Sequence, residues 1–419
     1  MVHSQISPIW HPFTQHALTP SLPTAMRAQG AYITTSDGRR MLDAISSWWV
    51  ITHGHRHPQI VAAVQAQAAV LDQVIFAEFT HEPAERLARQ LIAIAPNNLK
   101  HVFFSDSGST SVEVALKMAL GFWRNIGESR HRIVVMEHSY HGDTIGTMSV
   151  GARGPFTDSY ARLLFDVASI PFPTAGGEDK TFAALQALCR SGDAAAFLVE
   201  PLVLGAGGML MYSPAVLKEL RNICAAHGVL FIADEVMTGW GRTGSRFACE
   251  QAGITPDIAC YSKGLTGGTL PLAVTLCTRD IFAAHYSQDR SRTFFHSSSF
   301  TANPLACAAA SANLDIWAQE PVLERIAALT ALQSRHLERI RCDSRFLQVR
   351  QTGTITAMDL PANTSGYLSE IGPRLRAAFH ASNILLRPLG NTIYVLPPYC
   401  VTDDDLALVY DAIASAASS

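Results

Sequence analysis

The stretch from Gly228 to Gly268, GVLFIADEVMTGWGRTGSRFACEQAGITPDIACYSKGLTGG, restricts what this chain of 419 residues can fold into more than any other part of it. Val229 to Ala233 is a short run of apolar, partly β-branched residues directly after a glycine. It is too short for a useful helix and predicts a buried strand ending on Asp234 and Glu235. A second apolar run, Ile258 to Tyr261, follows a connection marked by Gly and Pro. It delivers Ser262, Lys263 and a glycine turn at Gly264, Gly267 and Gly268. In an α/β sheet the carboxyl ends of parallel strands open on the ligand crevice, so two such ends aim Asp234 and Lys263 at one bound molecule.

A carboxylate and an amine at neighbouring strand ends suit pyridoxal phosphate. That cofactor bonds to a lysine and acts as an electron sink while a carboxylate keeps its ring nitrogen protonated. Lys263 and Asp234 are the candidates for those two roles, with Lys263 also the base that moves the substrate proton. Taken locally, the same residues also read as a strand-end Asp capping a turn and a surface Lys.

At this length, with 48% hydrophobic residues, the chain can bury a large core and is expected to form two domains. A formal net charge of −3 and the lack of any basic run argue against nucleic acid as a partner. The opening MVHSQISPIWHPFT has neither a charged n-region nor an apolar h-region, and no stretch reaches membrane-helix length. A cytoplasmic protein without membrane contact is therefore expected. The eight cysteines show no CxxC pair and read as reduced, mostly buried thiols.

Along the chain, AYITTSDGRRMLDAIS predicts a hairpin turning at Asp37-Gly38. Trp48 and Trp49 follow, as core residues or as walls of an apolar pocket. His53, His55 and His57 alternate, but no Cys or carboxylate cluster lies at ligand spacing, so no metal site is expected. Helices are predicted over Ile60–Val74 and Pro83–Ile94. The strand His101–Phe104, the turn Ser105-Asp106-Ser107-Gly108-Ser109-Thr110 and a helix from about Ser111 to Trp123 together make an anion site at a helix N-terminus, or an ordinary N-cap. Strand Arg132–Met136 ends near Tyr140 and His141, either of which could stack on a planar cofactor. Strand Ala195–Val199, helix Ala215–His227 and the Asp234 strand continue a β/α alternation. Further on, helices reach about Gln319 and span Val322–Ile340, and strands near 353–359 and 392–396 give the C-terminal part α+β character.

Taken together, several blocks resemble the class III, fold type I aminotransferases that use pyridoxal phosphate, over nearly the whole chain. They are Asp106-Ser107-Gly108-Ser109, Tyr140-His141-Gly142-Asp143-Thr144, Ala233-Asp234-Glu235, Gly241-Arg242-Thr243-Gly244, Ser262-Lys263-Gly264 and Asn303-Pro304-Leu305-Ala306. The resemblance implies an α/β fold with a large domain, 51–305, built on a mostly parallel seven-stranded sheet. It also implies a smaller α+β domain made from 1–50 and 306–419. Within the family, Trp10-His11-Pro12, Asp37-Gly38-Arg39-Arg40, Ser46-Ser47-Trp48-Trp49, Arg387-Pro388 and Ile393-Tyr394 look most like the biotin-pathway branch. That likeness implies small-molecule substrates, 8-amino-7-oxononanoate and an amino donor, S-adenosylmethionine foremost.

By this resemblance Lys263 would bond the cofactor, Asp234 would hold its ring nitrogen, and Tyr140 would stack on the ring. Gly108 and Ser109 would bind the phosphate, joined by Ser299 from the other subunit of a homodimer. Ser299 stands where the family commonly has Thr. Trp48 and Tyr140 would flank the substrate, Asp143 and Tyr394 would add polar contacts, and Arg387 would hold the keto-acid carboxylate, with Arg242 near the mouth. Phe13 departs from the pattern, which usually has a tyrosine there, and bears on the donor. The rival readings are an ω-amino-acid aminotransferase using lysine, ornithine or 4-aminobutyrate, and a non-enzymatic or hydrolytic α/β protein in which Lys263 is incidental.

Overall fold

The computed structural model describes residues 7–19, 21–363 and 366–418. The first six residues, part of the opening read as lacking leader features, lie outside the described residues. Every residue of Leu230–Asp234 is buried, because the strand lies between Ala194–Val199 and Ile258–Tyr261 with both faces of the sheet covered. Such strands read as unbroken apolar runs rather than alternating ones, which is why this segment was legible. The whole sheet has seven strands. From one edge to the other they run Leu99–Ser105, Ala273–Thr278, Ile258–Tyr261, Leu230–Asp234, Ala194–Val199, Arg132–Met136 and Ala168–Ile170. Only Ala273–Thr278 runs antiparallel to its neighbours, so the mostly parallel sheet expected from the sequence is present.

The helix after the first strand spans Gly108–Ile126, beginning three residues before the expected start. Ser107 is the reason. Its Oγ accepts the Thr110 N–H at 3.2 Å, a side-chain cap that apolar periodicity does not register. The expected helix Ile60–Val74 is instead Pro58–Ala68, since the following backbone turns to meet Asn303, whose Nδ2 donates to the Asp72 carbonyl at 3.1 Å. The hairpin Tyr32–Thr35 with Arg40–Asp43 forms as expected and is extended on one side by Ala25–Gln29 and on the other by Ile384–Leu385. Both ends of the chain therefore share one small sheet. A second sheet joins Leu347–Thr352, Ile355–Asp359 and Thr392–Val395.

Helix Pro304–Gln319, expected in the smaller domain, packs against Pro58–Ala68, Glu82–Ile94 and the Lys263–Thr266 turn. Its Asn313 donates from Nδ2 to the carbonyls of Gly264 and Leu265, bracing the turn behind Lys263. The alternating histidines point to three separate partners. His53 meets Asn313, His55 meets Asp43 and His57 meets Glu320. Six cysteines are buried and two exposed, all free. Among the described residues no helix is long and apolar enough to cross a membrane.

Candidate active site

The carboxyl ends of the parallel strands converge. Asp234 closes one strand, Lys263 follows the next, Glu200 follows Val199, Tyr140 and His141 lie after Met136, and Gly108 and Ser109 lie after Ser105. All of these residues line one cavity of about 150 Å³. A space of that size takes a single aromatic ring. Tyr140 and Gly142 are also walls of a second cavity of about 710 Å³, which Asp143, Phe156 and Tyr367 help to line.

Three features fit a flat, anionic cofactor. The backbone N–H groups of Gly108 and Ser109 have no partner among the described residues, so the positive end of the helix faces the cavity unspent. A Cβ on Gly108 would come within 2.6 Å of Val236 Cγ1, and one on Gly142 within 2.0 Å of Ser109 Oγ, so the cradle is open only because both are glycines. Asp234 provides the fixed negative charge. Its Oδ1 accepts the Val236 N–H at 3.0 Å and its Oδ2 accepts from His141 Nδ1 at 2.7 Å.

Lys263 is shaped by its surroundings. Removal from water pushes its amine down to about 8, partly opposed by the charges of Asp234 and Glu200 and assisted by Arg242. The Nζ stands 4.7 Å from the centre of the Trp49 ring. An uncharged amine fraction near neutral pH is what a nucleophile or base at this atom needs. Lys263 also adopts a left-handed backbone, φ 46°, which aims it off the strand end and into the cavity.

The remaining predicted residues differ in where they lie. Tyr140 walls both cavities, and burial together with Asp143 drives its hydroxyl pKa upward, so it remains a neutral phenol. Trp48, expected to flank the substrate, is exposed and lines neither cavity; Phe13 meets its ring at 5.7 Å and Arg387 lies 5.5 Å from its centre. Trp49, rather than Trp48, reaches the ring-sized cavity. Two further expectations need correction. Tyr394 is buried and its hydroxyl accepts the Trp49 indole N–H at 3.0 Å, so it acts on the cavity through Trp49. Arg242 is not at the mouth. It is 1% exposed and donates to the carbonyls of Trp49, Ile51 and Pro397, which gives its guanidinium partners inside the fold. Ser299 is exposed and lies outside both cavities of its own chain, its carbonyl accepting from Gln73.

One site residue has a different place from the one expected and another was not expected at all. His141, a candidate for stacking, instead braces Asp234. Glu200 is buried, its carboxylate accepting from the N–H groups of Tyr140 at 3.0 Å and Gly205 at 2.9 Å. Burial raises its carboxyl to about 7, against the pull of His141 and with the help of the Asp234 charge. An acid directly after a buried strand is the same signal that marked Asp234, and it was available for Glu200 too.

A lysine and an aspartate at adjoining strand ends, facing one ring-sized cavity with unpartnered N–H groups of a helix N-terminus beside them, fit an enzyme that uses pyridoxal phosphate, and the chain belongs to the class-III aminotransferases. The family model for aminotransferase class-III matches residues 14–417. The particular relatives agree with one another. The adenosylmethionine-8-amino-7-oxononanoate aminotransferase of Synechococcus elongatus is 48% identical over 97% of each chain, and that of Geobacter sulfurreducens 36% identical over 97% of this chain and 94% of its own. The crystal structure of the enzyme of the same name from Methanocaldococcus jannaschii superposes with a TM-score of 0.94 at 31% identity, covering 98% of this chain and 97% of that one. A PLP-bound amine transaminase from an uncultivated Pseudomonas species gives 0.92 at 31% identity, over 98% of each.

Proposed function

We propose that this protein transfers an amino group to 8-amino-7-oxononanoate, giving 7,8-diaminononanoate for biotin synthesis, with adenosylmethionine as donor and pyridoxal 5'-phosphate as cofactor. One observation carries the reading: Asp234 and Lys263 open on the same ring-sized cavity, and the Lys263 amine there is pushed down toward neutrality. When bound, the cofactor supplies an electron sink for the substrate carbon. The chain's own residues do the rest. Gly108 and Ser109 would donate backbone N–H groups to the phosphate, Asp234 would hold the ring nitrogen, and Tyr140 would cover one face. Lys263 Nζ takes and returns the substrate proton, and Trp49 with Glu200 keeps that atom away from bulk water. Arg387, over the ring of Trp48, would pair with the acceptor's carboxylate.

The reading extends to a homodimer. Ser299 sits on an exposed turn tethered by the hydroxyl of Ser298 to Asp106, with the exposed apolar side chains Ile75, Phe79 and Phe300 on the segments that meet there. A surface of that kind suits a subunit interface, and Ser299 would reach the phosphate in the other subunit. The test is an assay of purified protein with 8-amino-7-oxononanoate against adenosylmethionine, lysine and ornithine. Turnover with adenosylmethionine, and a borohydride-reduced cofactor fixed on Lys263, support the proposal. Turnover only with ω-amino acids and other acceptors would replace it with the rival aminotransferase.

A further inference from the structure

We propose that His141 is a positioning residue for the cofactor's ring nitrogen, acting through Asp234; the inference rests on the cofactor reading above. The Asp234 carboxylate is held at both oxygens, Oδ1 by the Val236 N–H at 3.0 Å and Oδ2 by His141 Nδ1 at 2.7 Å. Rotation of the carboxylate breaks both bonds, so together they fix which lone pairs face the cavity. Only the histidine contact comes from a side chain, and only it can be removed without changing the backbone.

The histidine is itself clamped. Tyr140 before it donates its N–H to Glu200, Gly142 after it packs on Ser109, and the ring has no solvent exposure. Its partner is a carboxylate, so Nδ1 carries a proton and donates whatever the charge of the ring. Its other nitrogen, Nε2, is buried with no partner among the described residues. A ring present only to fill space would be better replaced by leucine or phenylalanine, which bury no unpaired polar atom. Among the described residues the bond to Asp234 is the one hydrogen bond of the ring that offsets that cost. Charged and titratable groups around the pair are Glu200, Lys263 and Tyr140 at the cavity and Cys260 on the adjoining strand.

The test measures affinity of cofactor-free protein for pyridoxal phosphate and for its 1-deaza analogue, in which a carbon replaces the ring nitrogen. Both ligands can bond Lys263, and only the first can use Asp234. Wild type is expected to prefer pyridoxal phosphate by roughly tenfold or more, the worth of one charge-assisted bond. His141→Leu should cut that preference by roughly fivefold while leaving affinity for the deaza analogue within about twofold. His141→Asn, whose amide nitrogen occupies the Nδ1 position, should restore the preference, and His141→Gln, whose amide reaches the Nε2 position instead, should not. If the leucine variant does not fold, the Asn and Gln pair carries the same comparison. Equal weakening of both ligands, or an unchanged preference in the Leu and Gln variants, overturns the role of His141 alone. A wild type indifferent to the ring nitrogen overturns the Asp234 assignment with it.

Discussion

Arg387 donates from Nη2 to the carbonyl oxygen of Phe13 at 3.0 Å, joining the C-terminal arm of the chain to its N-terminal segment. Among the described residues no carboxylate pairs with this guanidinium, and the face of Trp48 lies beside it. A substrate carboxylate would exchange a neutral acceptor for a charged one, which is the stronger bond. Arg387→Ala is therefore expected to weaken use of the keto acid by about 2 to 4 kcal/mol, on the order of tens- to several-hundredfold in kcat/KM. A methyl ester of the acceptor should suffer little further loss in the variant. Equal rates for acid and ester in the unmutated enzyme would remove the carboxylate role.

Lys263→Ala should leave a folded protein that still binds cofactor noncovalently through the helix N-terminus, with turnover lowered by roughly a thousandfold or more. The adjacent Trp49 ring and the Asn313 brace do not depend on the amine, so thermal stability should not collapse. Mass spectrometry after borohydride reduction locates the bond. A cofactor adduct on another lysine, or near-normal turnover, would sink the assignment.

Glu200 predicts a dependence of stability on pH in the cofactor-free protein. Burial, first, lifts its folded-state value from the ordinary 4.5 to about 7. Between those values the folded protein holds a proton that the unfolded chain has released. Stability is then full below about pH 4.5 and falls as pH rises through 7, by up to about 3 kcal/mol for this one group. Glu200→Gln should have a lower baseline, since its amide cannot accept from both Tyr140 and Gly205, yet lack that slope. Thermal midpoints of the two proteins from pH 4.5 to 8 decide it, and parallel profiles would assign the slope to other groups.

Much of this site was readable because its residues end apolar runs. Asp234 and Lys263 announce themselves in that way, and Ser107 to Thr110 does so through its small residues ahead of a helix. What was not readable is pairing. His141 meets Asp234 across 93 positions because the sheet order places two strand ends on opposite sides of the Ala194–Val199 strand. Arg242, in a glycine-rich turn, carries every local sign of an exposed residue. Its burial follows from three carbonyls contributed by segments near both ends of the chain, which no spacing reveals. The C-terminal helix Asp403–Ala416, by contrast, has a local signal in the reciprocal Thr402 and Asp405 cap that apolar periodicity alone passes over.

Phe13 is the position at which the resemblance usually implies a tyrosine, and the neighbourhood holds another hydroxyl. Its ring packs edge-on against Trp48 at 5.7 Å, Phe156 at 5.6 Å and Tyr367 at 6.1 Å. The Tyr367 hydroxyl lies 3.4 Å from Arg387 Nη2, beside the cavity that Tyr367 and Phe156 line. A second hydroxyl placed at position 13 would add at most one bond of about 1 kcal/mol to a site already supplied. Phe13→Tyr is accordingly expected to change kcat/KM with adenosylmethionine by no more than roughly threefold to fivefold, and Tyr367→Phe to lower it by about that factor or more. Both variants are to be measured with adenosylmethionine and with lysine against the same acceptor. A gain well above tenfold for Phe13→Tyr, confined to adenosylmethionine, would mean that the missing hydroxyl is not replaced by Tyr367. Lysine outperforming adenosylmethionine in the unmutated protein would overturn the donor, and with it the reading of Phe13 as a compensated change.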